Sequence, residues 1–166
     1  MARTTKLVTL FAAIVAVAAP AGAFAGTATG SFTVQATVAP SCTISGSTLT
    51  FPNYDPNSAT PDDGATTLSL TCTKNTGYSV ALTSANSFAM KNGVDSLNYV
   101  LYSDSGRTTV WNGSAPVAGT AANRNAITLN VYGRIAINQD VPTGTPSGGV
   151  SSPLTYSDTV TATVSF

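Results

Sequence analysis

Apolar and small polar residues alternate with a period of two along most of this chain. Phe32, Val34, Ala36 and Val38 alternate with Thr33, Gln35 and Thr37, and Leu68, Leu70 and Cys72 with Ser69 and Thr71. Leu97, Tyr99 and Leu101 face one way, and Asn98, Val100 and Tyr102 the other. Ile127, Leu129, Val131, Gly133 and Ile135 make a longer run, and Tyr156, Asp158, Val160, Ala162, Val164 and Phe166 close the chain with Thr159, Thr161, Thr163 and Ser165 between them. Successive side chains of a strand point to opposite faces, so this pattern describes half-buried strands, and the Val, Ile and Thr content fits them. Turn signals separate the runs: Pro52-Asn53, Pro61-Asp62-Asp63-Gly64, Asn92-Gly93, Ser105-Gly106, Asn112-Gly113 and Pro146-Ser147-Gly148-Gly149. Beyond the first 25 residues no apolar stripe recurs at helical spacing with caps at its ends. The expectation is one all-β antiparallel sandwich, without a fixed-period repeat or a dividing linker.

The composition narrows the chemistry. The chain has 166 residues, no His and no Glu, so its seven acids are all Asp. Charged residues make up only 8%, against about 25% in an ordinary domain, which argues against a polybasic nucleic-acid binder. The missing His removes the commonest general base and metal ligand, and two Cys cannot make a four-thiolate zinc site. Ser and Thr are abundant, but no G-x-S-x-G elbow occurs, and Gly148-Gly149 has no Lys behind it to make a phosphate loop. No catalytic residue, cofactor or metal is expected. Asp62-Asp63 read as solvated turn residues. With Asp55 they could offer loop oxygens to calcium, without the spacing of a dedicated calcium loop. Trp111, Tyr99, Tyr102, Tyr132 and Tyr156 read as packing residues, and Arg134 and Asp158 as a possible pair on neighbouring strands.

Residues 1–25 read as an export signal. Arg3 and Lys6 precede an apolar stretch from Leu7 to Ala19, and Ala23-Phe24-Ala25 fits the small-x-small cleavage pattern. The run of about 13 apolar residues is shorter than the roughly 20 needed to span a bilayer. Cleavage between Ala25 and Gly26 would leave 141 residues with five basic and seven acidic side chains. Export makes a disulfide permissible, and Cys42 and Cys72 are the only candidates. Closing that loop of about 30 residues is worth roughly 3–4 kcal/mol on the chain-entropy argument.

The two ends of the exported chain are unusual for a finished sandwich. The regular strand Thr155–Phe166 runs to the last residue, with nothing after it to pair its other edge. Thr27–Val38 is a second clean alternating segment just beyond the cleavage site. An exposed strand edge is an aggregation liability unless it is covered. Either Phe32–Val38 is the first strand of its own sheet, or it pairs in trans with the open edge of another copy.

The sequence also resembles the spore coat protein U domain proteins, which include the major subunits of archaic (Csu-type) chaperone–usher pili. The resemblance covers about Thr27 to Phe166. It rests on Ser41-Cys42-Thr43-Ile44, Leu68-Ser69-Leu70-Thr71-Cys72, Leu97-Asn98-Tyr99-Val100-Leu101-Tyr102-Ser103-Asp104 with Arg107-Thr108 and Trp111, Val131-Tyr132-Gly133-Arg134-Ile135 with Val141-Pro142-Thr143-Gly144, and the closing Tyr156-Ser157-Asp158-Thr159-Val160 strand. A Gly/Ser/Pro-rich insertion at 144–154 departs from the family pattern. The resemblance implies an incomplete immunoglobulin-like β-sandwich completed by donor-strand exchange. Residues 26–39 would be the donor segment and residues 40–166 the sandwich domain. Phe32, Val34, Ala36 and Val38 would insert along an acceptor edge formed by Tyr156, Val160, Ala162, Val164 and Phe166. The implied partners are identical subunits in a fibre, a periplasmic chaperone and an outer-membrane usher, with export through the periplasm to the cell surface. The alternatives are a self-complete secreted coat or matrix protein of the same fold and a carbohydrate- or calcium-binding sandwich module.

Overall fold

The computed structural model describes residues 25–144 and 151–166. The segment expected to be an export signal, up to its last residue, and the middle of the 144–154 insertion lie outside the described residues. The described residues contain eight strands and no helix: β1 (Cys42–Gly46), β2 (Asp62–Cys72), β3 (Gly77–Ser84), β4 (Ala89–Asn92), β5 (Asp95–Tyr102), β6 (Val117–Thr120), β7 (Ile127–Ile135) and β8 (Val160–Ser165). They form two antiparallel sheets, one of five strands in the order β1-β2-β7-β5-β4 and one of three in the order β6-β3-β8. The fold is the all-β sandwich expected from the alternation. Residues 37–166 make one compact unit, and the chain up to Ala36 falls outside it.

Strand β7 coincides with the apolar run read from Ile127 to Ile135. In the β4–β5 hairpin, Asn92 pairs with Asp95, and Gly93 takes the positive φ of 58° that a tight turn needs there. The turn expected at Pro61–Gly64 is different: Asp62, Asp63 and Gly64 are the first residues of β2. The cause is a distant partner that turn propensity cannot register. Asp63 lies opposite Arg134 on β7, which donates to both of its carboxylate oxygens at 2.8 and 2.9 Å. A bidentate pair of this kind offsets the poor strand propensity of Asp.

The two sheets close on a core that includes Leu70, Val80, Leu82, Ile135 and Trp111, each almost fully buried. Trp111 spans the layers. Its backbone N–H donates to the Leu101 carbonyl of the larger sheet at 2.8 Å. Its indole N–H donates to the Val80 carbonyl of the smaller one at 2.8 Å. Tyr99 packs edge-on against Phe88 and tilts against Phe51, with ring centroids 5.8 and 6.2 Å apart.

Phe51 belongs to the strandless segment between β1 and β2, which lies against the inner face of the sheet where Gly64 faces Gly133. A Cβ on Gly133 would stand 2.6 Å from the Phe51 ring, and one on Gly64 2.9 Å from Leu49. The paired glycines make a trough that Leu49 and Phe51 fill. Gly133→Val should therefore destabilise the fold by about 1–3 kcal/mol through overpacking, measured by urea unfolding. The same substitution in a Phe51→Ala background should cost measurably less.

Candidate functional site

A sheet edge exposes unpaired N–H and C=O groups, so each edge of this sandwich has to be managed. The outer edge of β4 is covered by Ser157, whose N–H and C=O exchange bonds with Lys91 at 3.1 and 2.8 Å. The β6 edge is only four residues long. Two further edges, those of β1 and β8, lie against each other on one side of the sandwich, and no ladder joins them. β8 pairs only with β3, from Ser84↔Val160 to Ser79↔Ser165, and β1 only with β2.

The side chains beneath this margin are incompletely covered. In the centre of the core Leu70, Val80 and Leu82 are sealed. On the margin strands themselves Ile44, Ala162 and Val164 pack on that core yet stay partly exposed. Of the remaining residues expected at the acceptor edge, Val160 is 37% exposed and Phe166 58%. Tyr156 is partly buried, its hydroxyl donating to the Pro142 carbonyl at 3.2 Å.

Residues 25–41 carry no strand, although Phe32–Val38 has one of the clearest alternations in the chain. Phe32, Val34 and Val38 are 88, 81 and 78% exposed, and Ala36 is exposed as well. The reading of this segment as the first strand of its own sheet is therefore not met. Ala25 and Gly26, at the expected cleavage point, are likewise exposed and strandless. Just beyond, Cys42 lies opposite Cys72 and the two form a disulfide, which cross-links the marginal β1 to β2.

At its other end the margin is anchored by Asp158. One carboxylate oxygen accepts from Ser84 Oγ at 2.5 Å and Tyr99 OH at 2.7 Å. The other accepts from Asn86 Nδ2 at 2.9 Å and its neighbour Thr159 N at 2.8 Å. Ser84 and Asn86 flank the end of β3 and Tyr99 stands on β5, so one carboxylate ties the start of β8 to both sheets. Burial pushes the Asp158 pKa up, but the bonds from Ser84, Tyr99, Thr159 and Asn86 outweigh it and hold it below the ordinary 3.8. Burial, then the adjacent carboxylate, raises the Tyr99 phenol well above its usual value. Arg134 and Asp158 are not partners: Arg134 is committed to Asp63. An Asp in the apolar phase of an otherwise regular strand is the one sequence signal of the Asp158 network.

The other constellations are engaged elsewhere. Asp63 also receives Arg107, at 3.1 Å, and the two arginines hold its carboxyl below the usual range. Asp55 accepts from the Asn57 N–H at 2.9 Å, and one Asp62 oxygen is buried without a partner. Tyr102 and Tyr132 pair on the outer face of the larger sheet rather than in the core, and the Arg107 guanidinium lies 5.7 Å from the Tyr132 ring centre. A shallow hollow of about 320 Å³ lies on that face beside Asn98, Val100, Tyr102 and Arg134.

The sequence matches the Spore Coat Protein U domain over residues 28–163. The chain belongs to the Spore Coat Protein U domain family. Protein U of Myxococcus xanthus is 34% identical over 168 residues, covering 86% of this chain and 87% of that protein. Among solved structures, one similar chain comes from a chaperone–tip adhesion subunit pre-assembly complex of the archaic chaperone–usher Csu pili of Acinetobacter baumannii. Its TM-score is 0.48 at 23% identity, over 78% of this chain and 41% of that one, so this chain spans less than half the length of that neighbour.

Asp158→Asn keeps the shape but removes the charge that four donors share, and should cost about 1–3 kcal/mol at neutral pH. Because the folded pKa is depressed, the charged form's contribution is present above pH 3.8 and is lost as pH falls through the lower folded value. Below that range the gap in unfolding free energy between wild type and Asp158→Asn should narrow, as measured by denaturant titrations across acid pH. An unchanged gap would reject the charged role.

Proposed function

We propose that this chain is a structural subunit of a surface fibre that polymerises by strand exchange. Residues 32–38 of one copy enter the margin between β1 and β8 of the next. The observation that carries this reading is a complementary pair of deficits in one chain. A strongly alternating apolar segment lies exposed and strandless, while a strand-deep margin elsewhere has half-covered apolar side chains and no ladder. The family domain begins at residue 28, so the exposed segment belongs to the domain.

The physical gain is substantial. Inserting Phe32, Val34 and Val38 buries three large side chains worth about 1.5–3 kcal/mol each, with Ala36 adding less. The intervening backbone joins the ladder of β8, six residues long against the seven from Phe32 to Val38. Before insertion the same surfaces are sticky, so the exported chain needs a periplasmic chaperone to cover the margin and an outer-membrane usher to exchange that cover for the next subunit. The chain then acts by polymerising at the cell surface, and attachment and biofilm formation are properties of the assembled fibre. This is structural work without a catalytic step. The unpaired segment favours this reading over a self-complete coat protein.

Phe32→Asp combined with Val34→Asp should abolish polymerisation while leaving the melting of the sandwich and its capture by the chaperone unchanged. Wild-type polymer should run as an SDS-resistant ladder that collapses on boiling, and the double variant as monomer. A normal ladder from the double variant would refute the donor assignment.

A further inference from the structure

The few charged side chains of this protein are sorted by end. At the end where β2 turns into β3 stand Lys74 and, in the β6–β7 loop, Arg124, both exposed. The two loops are joined, Asn75 N donating to the Ala121 carbonyl at 2.7 Å and Ala121 N to that of Thr76 at 2.9 Å. At the opposite end stand Asp55, Asp62, Asp95 and Asp140. Asp62 opens β2 opposite Ile135, the last residue of β7, and Asp95 opens β5. Asp140 follows Gln139, which bonds to both backbone groups of Asn98 and, through its own N–H, to the Tyr54 hydroxyl next to Asp55. Lys91 is the one basic side chain there. The other charges have partners of their own: Asp63 has Arg107 and Arg134, Asp104 the N–H groups of Thr108 and Thr109, and Asp158, also toward the acidic end, its own network.

We infer that these ends are a matched docking pair, the basic end of one copy seating on the acidic end of the next. This rests on the strand-exchange reading and adds an orientation to it. The exchanged segment leaves its own sandwich at the basic end, where Ser41 is already fixed by Thr73 N and Oγ1 at 2.8 and 3.3 Å. Only Ala39 and Pro40 lie between Val38 and that anchor, a tether of roughly 10 Å. The donor's basic end must therefore sit within a short distance of whichever acceptor end its segment points back to. Inserted antiparallel to β8, the segment ends beside Val160 and brings Lys74 and Arg124 to the acidic end. Inserted parallel, it ends beside Ser165 and sets basic end against basic end. At about 8–10 Å screening in physiological salt is incomplete, so charge favours antiparallel, head-to-tail growth and steers each encounter.

The exchange itself cannot mimic this signal. No charged side chain occurs from residue 25 to residue 54 or from 159 to 166, and Asp158 beside the margin is already engaged, so insertion of a peptide blocked at both termini brings no new charge into the margin and ionic strength reports on the ends. The test follows assembly of the mature chain by ladder formation at about 50 and 300 mM NaCl, beside insertion of such a blocked peptide of residues 27–40. Wild-type assembly should slow at least about five-fold at the higher salt, a modest share of what steering can supply. Peptide insertion should not slow. Lys74→Asp with Arg124→Asp should assemble at least about five-fold more slowly at low salt yet take up peptide normally. Adding Asp95→Lys and Asp140→Lys should restore the rate. Equal assembly at both salts, or an unaffected charge-reversed variant, with normal peptide insertion would overturn the docking pair and leave strand exchange standing. Failure of the peptide to insert into wild type would remove strand exchange and the docking pair with it.

Discussion

A sandwich must cover both the faces and the edges of its sheets, and along β1 and β8 this one leaves two neighbouring strands without a ladder between them. Face coverage comes from ordinary burial. Edge coverage needs backbone partners, and Ser157 supplies one for β4 while the shortness of β6 limits the need there. Along β1 and β8 the strands meet without bonding, and the residues beneath them remain half-covered. The rest of the architecture holds this margin in shape.

Three devices do so. The Cys42–Cys72 disulfide fixes β1, which has a ladder on one side only. The Asp158 carboxylate fixes the start of β8 to β3 and β5. Trp111 joins the two sheets through hydrogen bonds from both its backbone and its indole N–H groups. The first two act at opposite ends of the margin and the third behind it in the core, so the margin can stay shaped without being filled. That is the condition for a partner strand to bind at low ordering cost, because the receiving surface is organised beforehand.

Much of this was legible in the sequence because its information is local. Period-two alternation identifies β7 to the residue and places β5 and β8, and the Asn92-Gly93 turn carries its own conformational requirement. The disulfide follows from there being two cysteines. What was not legible depends on partners far along the chain. Asp62-Asp63 look like turn residues until Arg134 is known to lie opposite. Arg134 and Asp158 look like partners until the register assigns Asp63 to one and Ser84, Asn86 and Tyr99 to the other. The trough of Gly64 and Gly133 is invisible because its filler, Leu49 and Phe51, lies on a strandless segment. The segment at 32–38 shows a subtler limit. Its alternation is that of a strand, yet the segment carries none in the isolated chain, and pattern alone does not say whose sheet such a strand would join.

The central claim is that the free side of β8 lacks a backbone partner until a segment like residues 27–40 occupies it. Amide hydrogen exchange over Val160–Ser165, in the isolated mature chain and with that peptide bound, tests it most directly. The account predicts rapid exchange at alternate amides of β8 in the isolated chain and strong protection of the same amides once the peptide is in place. Full protection of β8 in the isolated chain, unchanged by peptide, would contradict it.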